Sequence, residues 1–350
     1  MPRPPKPRVL VALSGGVDSS VAAALLLEQG YDVVAATMRV LSAAQVEGSP
    51  SEEARRVSEH LGIPHETLDL SAPFERDIVT HFAQEYAAGR TPNPCIRCNR
   101  LIKFGAFLKK ATQFGAAYLA TGHYVRVEHR HGRHALRRGV DRPKDQSYVL
   151  AALTQEQLAN ALFPLGGFTK AQVRARARAL ALPAADAEES QEACFIPEGR
   201  YGDFLAERLG PPEPGPILST RGDLLGQHKG LIHYTIGQRR GLGISDPRPY
   251  YVTALDPARN AIIVGHDEET LCGALTAGHV NWVGMPPQAD PFECRVQIRY
   301  LHQAVPATVT PVGNRIKVHF HEPQRAVAPG QWAVLYDDDG YLLAGGIIET

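Results

Sequence analysis

Short apolar runs alternate with stretches of helical periodicity over the first third of the chain. Four runs predict buried strands, at 8–13, 31–38, 65–70 and 117–124. Between them, the spacing of apolar positions predicts helices at 18–30, 51–61, 73–88 and about 100–114, with a loop at 91–100. Strands that alternate with helices indicate βαβ units, and we therefore predict a parallel sheet with helices on both faces.

The pattern changes twice further along the chain. Residues 125–139 predict a hairpin that turns at His131-Gly132, and helical patterns return at 154–162, 169–181 and 201–209. The sequence GPPEPGP at 210–216 interrupts this pattern, and beyond it short strands are separated by turns such as DDDG at 337–340. We predict an α/β domain over residues 1–209, a small β-rich central domain over 210–272 and a C-terminal β-barrel over 273–350.

Charge is balanced over the whole chain but not along it. Lys plus Arg and Asp plus Glu both number 37, whereas 97–110 and 126–144 are strongly basic, which indicates local phosphate-binding faces. No apolar run approaches the roughly 20 residues that cross a bilayer, and no signal peptide is evident. We therefore predict no membrane contact and a cytoplasmic location, where the five cysteines stay reduced.

The sequence ALSGGVDSS at 12–20 lies between the first predicted strand and the first predicted helix. Gly15 and Gly16 allow a tight turn, and the freed amides at the start of the helix form an anion site. The lysine of a GxxxxGK[ST] loop is absent. Asp18 would repel phosphate unless Mg²⁺ lay between them, although an ordinary helix N-cap is an alternative for this residue.

The string SGGxDS after an N-terminal strand resembles the PP-loop of ATP pyrophosphatases, which adenylate an oxygen atom and release pyrophosphate. Five further motifs follow in order along the chain: NPCIRCNRLIKFG, ATGHY, DQSYVL, SQEACFIP and GQRRGLGI. Together the six motifs closely resemble the tRNA-specific 2-thiouridylase family over about residues 8–349. This resemblance implies ATP-dependent adenylation of the carbon-2 oxygen of the wobble uridine in tRNA. Sulfur transfer would then give 2-thiouridine, AMP and pyrophosphate, the reaction of a tRNA-uridine 2-sulfurtransferase.

The resemblance also implies residues that bind the two substrates. For ATP, with Mg²⁺, these are Ala12, Leu13, Ser14, Gly15, Gly16, Val17, Asp18, Ser19, Met38 and Gly122. For the anticodon arm of tRNA, these are Asn93, Pro94 and Cys95 at the target base, and His123, Lys144, Asp145, Gln146, Arg299, Tyr300 and Gln331 elsewhere. Reading one anticodon base requires that it leave its stack and enter a pocket. Met38 could equally be a core residue, and His123 a hydrogen-bonded residue at the end of a strand.

Three cysteines are candidates for sulfur chemistry. A persulfide on one cysteine can deliver sulfur to the adenylated carbon, and a second cysteine can release it by forming a disulfide. The resemblance implies that Cys194 carries the persulfide, loaded by a cysteine desulfurase or relay protein, and that Cys98 is the catalytic nucleophile. Cys95 departs from the aspartate that many family members have, so its role stays open.

An iron–sulfur cluster is the alternative for the same three residues. Cys95, Cys98 and Cys194 could ligate three irons of a [4Fe–4S] cluster, and a buried structural thiol is a further alternative for Cys194. Cys272 and Cys294 fall in predicted β-structure, where we expect them to be packing residues.

Three other functions compete with sulfur transfer. A PP-loop enzyme that amidates a small molecule such as citrulline or deamido-NAD would need neither a cysteine pair nor basic segments. A non-catalytic RNA-binding module would not need the intact SGGVDSS string together with Cys98 and Cys194. A thioredoxin-like site would place its CxxC at the start of a helix directly after a strand, which is not predicted here.

Overall fold

A computed structural model describes residues 6–41, 50–185, 194–196 and 200–350. The N-terminal region is built on a five-stranded parallel sheet, as the sequence predicts. In spatial order its strands are His65–Asp69, Asp32–Arg39, Arg8–Ala12, Tyr118–Ala120 and Ala161–Leu162. The central strand is apolar at successive positions because helices cover both faces of the sheet, and Val9, Leu10 and Val11 are fully buried.

Helices connect the strands of this sheet, and the last two follow its last strand. Their bounds are Val17–Glu28, Pro50–Leu61, Ser71–Phe74, Glu75–Val79, Thr80–Ala87, Pro94–Cys98, Asn99–Phe107, Leu108–Ala111, Gln155–Ala159, Lys170–Ala179 and Tyr201–Leu209. Glu75–Val79 and Asn99–Phe107 are π-helical stretches within longer helices. In the described ranges, no helix has the length and apolar character needed to cross a membrane. The predicted helix at 154–162 is too long, because Ala161 and Leu162 pair with Leu119 and Ala120 as the fifth strand.

The predicted loop at 91–100 is wrong. A helix begins at Pro94, so that Cys95 and Cys98 lie in its first two turns. The Asn93 side chain caps this helix by accepting hydrogen bonds from the N–H groups of Cys95 (3.1 Å) and Ile96 (3.2 Å). Asparagine at the N-cap followed by proline is a helix-start signal. We call the continuous helix of residues 94–111 the cysteine helix.

The hairpin follows the sheet and turns where the sequence predicts. Its strands are Val125–Arg130 and Arg133–Arg138, and both turn residues, His131 (φ 51°) and Gly132 (φ 74°), have left-handed backbone conformations. Two residues with positive φ match the right-handed twist of the paired strands.

Two β-structures form the rest of the chain, as predicted. A four-stranded sheet contains, in spatial order, Tyr251–Asp256, Ala261–Gly265, Gly215–Ser219 and Leu224–His228. A closed six-stranded barrel contains, in chain order, Leu271–Trp282, Phe292–Gln297, Val305–Val312, Arg315–Arg325, Trp332–Tyr336 and Leu342–Ile348. Cys294 is half-buried and packs against the barrel core, and Cys272 is also half-buried. The domain boundaries at 209/210 and 272/273 stay predictions.

The barrel packs directly on the N-terminal region. Trp332, Val334 and Tyr336 belong to the same buried cluster as Leu150 and Ala151. The hydroxyl of Tyr148, which is 1% exposed, donates to the Trp332 carbonyl oxygen (3.0 Å) and accepts from the Trp332 N–H (3.3 Å). One buried side chain therefore joins the two regions through both of its hydrogen-bonding functions.

We expect Tyr148→Phe to lower the free energy of unfolding by about 1–3 kcal/mol, because it leaves buried polar groups of Trp332 without this partner. Urea unfolding followed by tryptophan fluorescence measures the change. Tyr118→Phe is the matched control, since the Tyr118 hydroxyl has no hydrogen-bond partner within the described ranges. Equal stability of the two variants would contradict the proposed energetic role of the contact.

Candidate active site

The loop between the first strand and the first helix presents free backbone amides. Gly15 has a left-handed conformation (φ 80°), and Gly16 is the N-cap of the helix Val17–Glu28 without a side-chain cap. The hydroxyls of Ser19 and Ser20 both donate to the Gly16 carbonyl oxygen, at 3.1 and 2.8 Å. The uncapped N–H groups at this helix start are the donors that an anion would use.

Asp18 does not cap this helix; its carboxylate is held by two distant residues. Lys170 Nζ lies 2.8 Å from both carboxylate oxygens, and the Tyr124 hydroxyl donates to Oδ1 at 2.7 Å. The Lys170 side chain is 11% exposed and that of Asp18 is 32% exposed, so the ammonium is largely removed from solvent while the carboxylate faces the cavity. The loop contains no lysine, but the structure supplies one from a helix 152 residues further along the chain. No local sequence signal identifies Lys170, because only the tertiary fold brings it to the loop.

A cavity of about 250 Å³ opens beside the loop, and we call it the nucleotide cavity. Its lining contains Ala12, Leu13, Ser14, Asp18, Ser19, Ala36, Thr37, Met38, Lys103, Thr121, Gly122, His123 and Gln146. Gly122 lets two elements come close, because a Cβ atom there would lie 2.9 Å from the Ser19 nitrogen. The residues predicted to bind ATP therefore line this cavity or, as Gly15, Gly16 and Val17, form the turn beside it.

Two residues predicted to contact tRNA lie in the same cavity. His123 is buried, and its Nδ1 lies 2.6 Å from the Thr121 hydroxyl. Burial and the nearby Lys103 ammonium hold the pKa of His123 well below its usual range, so the ring is neutral at pH 7. Gln146 accepts a hydrogen bond from the Tyr124 N–H through Oε1 at 3.0 Å. Both side chains thus line the nucleotide cavity. His123 also makes the hydrogen bond that we would expect of a structural residue at the end of a strand.

The three candidate cysteines come together at the start of the cysteine helix. Cys95 and Cys194 are exposed and Cys98 is half-buried. Burial raises the pKa of Cys98 to about 12, against the lowering effect of Lys103, and the thiolates of Cys194 and Cys95 would raise it further. Cys95 and Cys194 keep part of their surface exposed, but the protein packed around them also raises the pKa of both thiols, against the lowering effect of Lys103. The free protein therefore holds its thiols protonated near neutral pH.

An aromatic anchor holds Cys194 beside this helix. Only Cys194, Phe195 and Ile196 of the motif SQEACFIP lie within the described residues. The Phe195 ring packs edge-on against Phe74 and Phe82, with centroid distances of 5.6 and 5.3 Å. The buried neighbour of Cys194 thus fixes the position of an exposed thiol.

The arrangement of the three cysteines does not match a metal site. Over the described parts of the chain, no group of three or more His, Cys, Asp and Glu side chains is placed to hold a metal ion. The role of Cys95, Cys98 and Cys194 as ligands of an iron–sulfur cluster therefore stays a prediction.

Other residues predicted to contact tRNA lie near the start of the cysteine helix or, as Lys144, in a separate short helix. Gln331 donates to the Thr91 carbonyl oxygen at 2.7 Å, and Arg299 lines a cavity of about 430 Å³ with both of these residues. A cleft of about 590 Å³ contains Asn93 and Pro94 in its lining. Lys144 lies in the short helix Arg142–Lys144.

Two predicted tRNA contacts point into the protein. Asp145 accepts hydrogen bonds from the Gly139 N–H (2.9 Å) and the Ser147 hydroxyl (2.7 Å), and its side chain is 7% exposed. The Tyr300 ring lies 6.3 Å from that of Tyr148 and packs against the main core. Both side chains are therefore engaged in contacts within the protein.

We expect alkylation of Cys98 by iodoacetamide to be slow at pH 8 and to rise about tenfold per pH unit through pH 10. The thiolate is the reactive form, and a pKa near 12 leaves roughly a thousandfold less thiolate than an ordinary cysteine. Mass spectrometry of the Cys98 peptide gives the rate, and urea-unfolded protein is the control. A plateau below pH 9 in the folded protein would refute the assigned environment of this thiol.

Family models match nearly the whole chain. They are described as tRNA methyl transferase HUP domain over residues 7–198, tRNA methyl transferase PRC-barrel domain over 202–266 and Aminomethyltransferase beta-barrel domain over 273–348. Among solved structures, a 4-thiouridine synthetase bound to RNA and ATP aligns at 18% identity, over 54% of this chain and 44% of that chain, with a TM-score of 0.36. We draw nothing from a structural similarity of this degree.

Curated relatives match over almost their full length. The tRNA-specific 2-thiouridylase MnmA of Symbiobacterium thermophilum is 49% identical, over 99% of this chain and 93% of the relative. The protein of the same name from Carboxydothermus hydrogenoformans is 48% identical, over 98% of this chain and 97% of the relative. Identity at this level over whole chains shows common descent. The chain belongs to the tRNA-specific 2-thiouridylase family.

Proposed function

We propose that this protein is a tRNA-uridine 2-sulfurtransferase that uses ATP to convert the wobble uridine to 2-thiouridine. The observation that carries the proposal is that the cysteine helix serves two sites: Cys98 lies at its start, and Lys103 of the same helix lines the nucleotide cavity. An adenylated base in the nucleotide cavity and a sulfur nucleophile would thus meet beside this helix. The names of the domain models mention methyl transfer, but the clustered thiols favour sulfur chemistry.

The first step would be adenylation. The carbon-2 oxygen of uridine attacks the α-phosphorus of ATP, the bond to the bridging oxygen breaks, and pyrophosphate leaves. The amides that begin the helix Val17–Glu28 would bind phosphate oxygens, and Met38 and Gly122 would border the adenine. Asp18 is the carboxylate in the cavity lining, but Lys170 holds both of its oxygens, so Mg²⁺, which would neutralise the polyphosphate, would bind Asp18 only by taking the place of this ammonium.

The second step would be sulfur transfer. The terminal sulfur of a Cys194 persulfide attacks carbon 2, the carbon–oxygen bond breaks, and AMP leaves with the bonding electrons. The Cys98 thiolate then attacks the Cys194 sulfur, and the electron pair of the broken S–S bond passes to the sulfur on carbon 2. This leaves 2-thiouridine and a Cys98–Cys194 disulfide. An external thiol reductant and an upstream persulfide donor would restore the enzyme.

The anticodon arm would bind across the start of the cysteine helix. Asn93 and Pro94 line the cleft of about 590 Å³ and directly precede Cys95 in the chain, which suits a base turned out of its stack. Arg299 and Gln331 would contact the backbone from the barrel side, and Lys144 from the hairpin side. The cytoplasmic location expected from the sequence belongs to the same proposal.

Thiolation of unmodified tRNA tests the function. We expect AMP and pyrophosphate to form only with tRNA and ATP present, and 2-thiouridine to appear when a persulfide donor is added. Nucleoside analysis by mass spectrometry measures the product. Cys98→Ser and Cys194→Ser should each abolish it, whereas Cys272→Ser, in the first strand of the barrel, is the control for loss of a thiol. Pyrophosphate release driven by a small acid or ureido substrate instead of tRNA would refute the proposal.

The same assay distinguishes the persulfide relay from an iron–sulfur cluster. We expect anaerobically prepared, iron-free enzyme to thiolate tRNA with a persulfide donor, and Cys95→Ala to keep its activity, because the relay uses only Cys98 and Cys194. Thiolation by sulfide that occurs only after cluster reconstitution, and that requires Cys95, would instead assign all three cysteines as ligands.

We expect Lys170→Met to weaken binding of ATP, measured without Mg²⁺, by roughly tenfold or more. The variant leaves the Asp18 carboxylate without its cation beside the phosphate site. Calorimetry measures the affinity, and Lys109→Met, at an exposed position, is the control. The double variant Asp18→Asn/Lys170→Met should bind more tightly than Lys170→Met alone. If it does not, repulsion by Asp18 is not the cause.

A further inference from the structure

Lys103 lies between the nucleotide cavity and the thiols. It contributes to the lining of the cavity, together with Asp18 and His123. Its positive charge also acts on the sulfur site, because it lowers the pKa of Cys98 and of Cys194. Among the described residues, no other lysine or arginine both lines this cavity and lowers the pKa of these thiols.

The wide turns of the cysteine helix set the direction of the Lys103 side chain. Over Asn99–Phe107 the helix is π-helical, with hydrogen bonds between residues five apart, so Lys103 lies one wide turn above Cys98. In a regular α-helix a residue five positions along is rotated by roughly 140° and faces away. The π-helical stretch thus places the ammonium on the face of the helix that carries the thiol.

Neighbouring residues maintain this wide turn. A Cβ atom at Gly105 would lie 2.9 Å from the Arg100 carbonyl oxygen, so the stretch favours glycine at that point. Gln157 Nε2 donates to the carbonyl oxygens of Arg100 (2.8 Å) and Phe104 (2.9 Å). The helix that carries Gln157 thus stabilises the π-helical stretch beside the site.

The charge of Lys103 is available to a ligand. Within the described residues, Lys103 has no hydrogen-bond or ion-pair partner, whereas the other lysine at the site, Lys170, is bound to Asp18. A half-buried ammonium that faces a cavity without a protein counterion is suited to an anion.

We propose that Lys103 is a catalytic cation shared by both steps of the reaction: it binds the α-phosphate of the nucleotide and stabilises the Cys98 thiolate. This proposal rests on the proposed function. During sulfur transfer negative charge develops on the departing AMP phosphate, and the Cys98 thiolate then attacks the Cys194 sulfur. One ammonium beside both groups stabilises these two anions in turn. A residue that only packed its aliphatic stem would do neither.

The first test is the alkylation of Cys98 by iodoacetamide as a function of pH, without ATP or tRNA. We expect Lys103→Gln and Lys103→Met to react about threefold or more slowly than wild type between pH 8 and 10, which corresponds to half a pKa unit. Lys103→Arg should keep the wild-type profile because it keeps the charge. Lys109→Gln removes an exposed charge from the same helix and is the matched control.

The second test is binding of AMP, measured by calorimetry. Lys103→Gln and Lys103→Met should bind AMP roughly tenfold more weakly than Lys109→Gln, because a charge-assisted contact to the phosphate is lost. Thermal unfolding confirms that each variant is folded. If the Lys103→Gln variant matches Lys109→Gln in either alkylation or AMP binding, the shared role is refuted.

Failure of this proposal is distinguishable from failure of the proposed function. The alkylation and AMP experiments need no tRNA and no sulfur donor, so they report on Lys103 alone. A wild-type protein that bound AMP and showed the Lys103-dependent profile but did not thiolate tRNA would refute the function. An active enzyme with an unchanged Lys103→Gln profile would refute the role of Lys103.

Discussion

The ion pair between Asp18 and Lys170 is the constraint on which the nucleotide site depends. A carboxylate in the first turn of a helix interacts favourably with the helix dipole but repels a phosphate that uses the same amides. Lys170 and the Tyr124 hydroxyl neutralise and fix that carboxylate. The pair also ties together three parts of the fold that are distant in sequence. The helix start, the residues after the fourth strand and the helix Lys170–Ala179 are thereby held around one cavity.

One helix carries the Cys98 thiol and also contributes Lys103 to the lining of the nucleotide cavity. Nucleotide chemistry needs an anion-binding cavity with few competing nucleophiles, whereas sulfur chemistry needs thiols that become reactive only when substrate is present. Burial keeps Cys98 protonated in the free protein, which protects it from adventitious oxidation. The same burial means that a neighbouring positive charge has a large effect on the thiol, because charges interact strongly where solvent is excluded.

Much of this fold follows from local patterns, and the exceptions have physical causes. The strand before SGGVDSS and the hairpin turn at His131-Gly132 agree with the structure because apolar runs and positive-φ residues are local signals. The start of the cysteine helix was missed although Asn93-Pro94 carries an N-cap signal. Ala161 and Leu162 form a strand only because Leu119 and Ala120 offer an open edge. Lys170 has no local signal at all, since its partner is 152 residues away.

The N-terminal region does not have a complete hydrophobic core without the barrel. Trp332, Val334 and Tyr336 of the barrel complete the core beneath Tyr148, and Gln331 is bonded to the segment that leads into the cysteine helix. Removing the barrel would expose this apolar surface and release the backbone at Thr91. The parallel-sheet region is therefore an incomplete folding unit without the barrel, and loss of the C-terminal segment would destabilise the segment that positions the thiols.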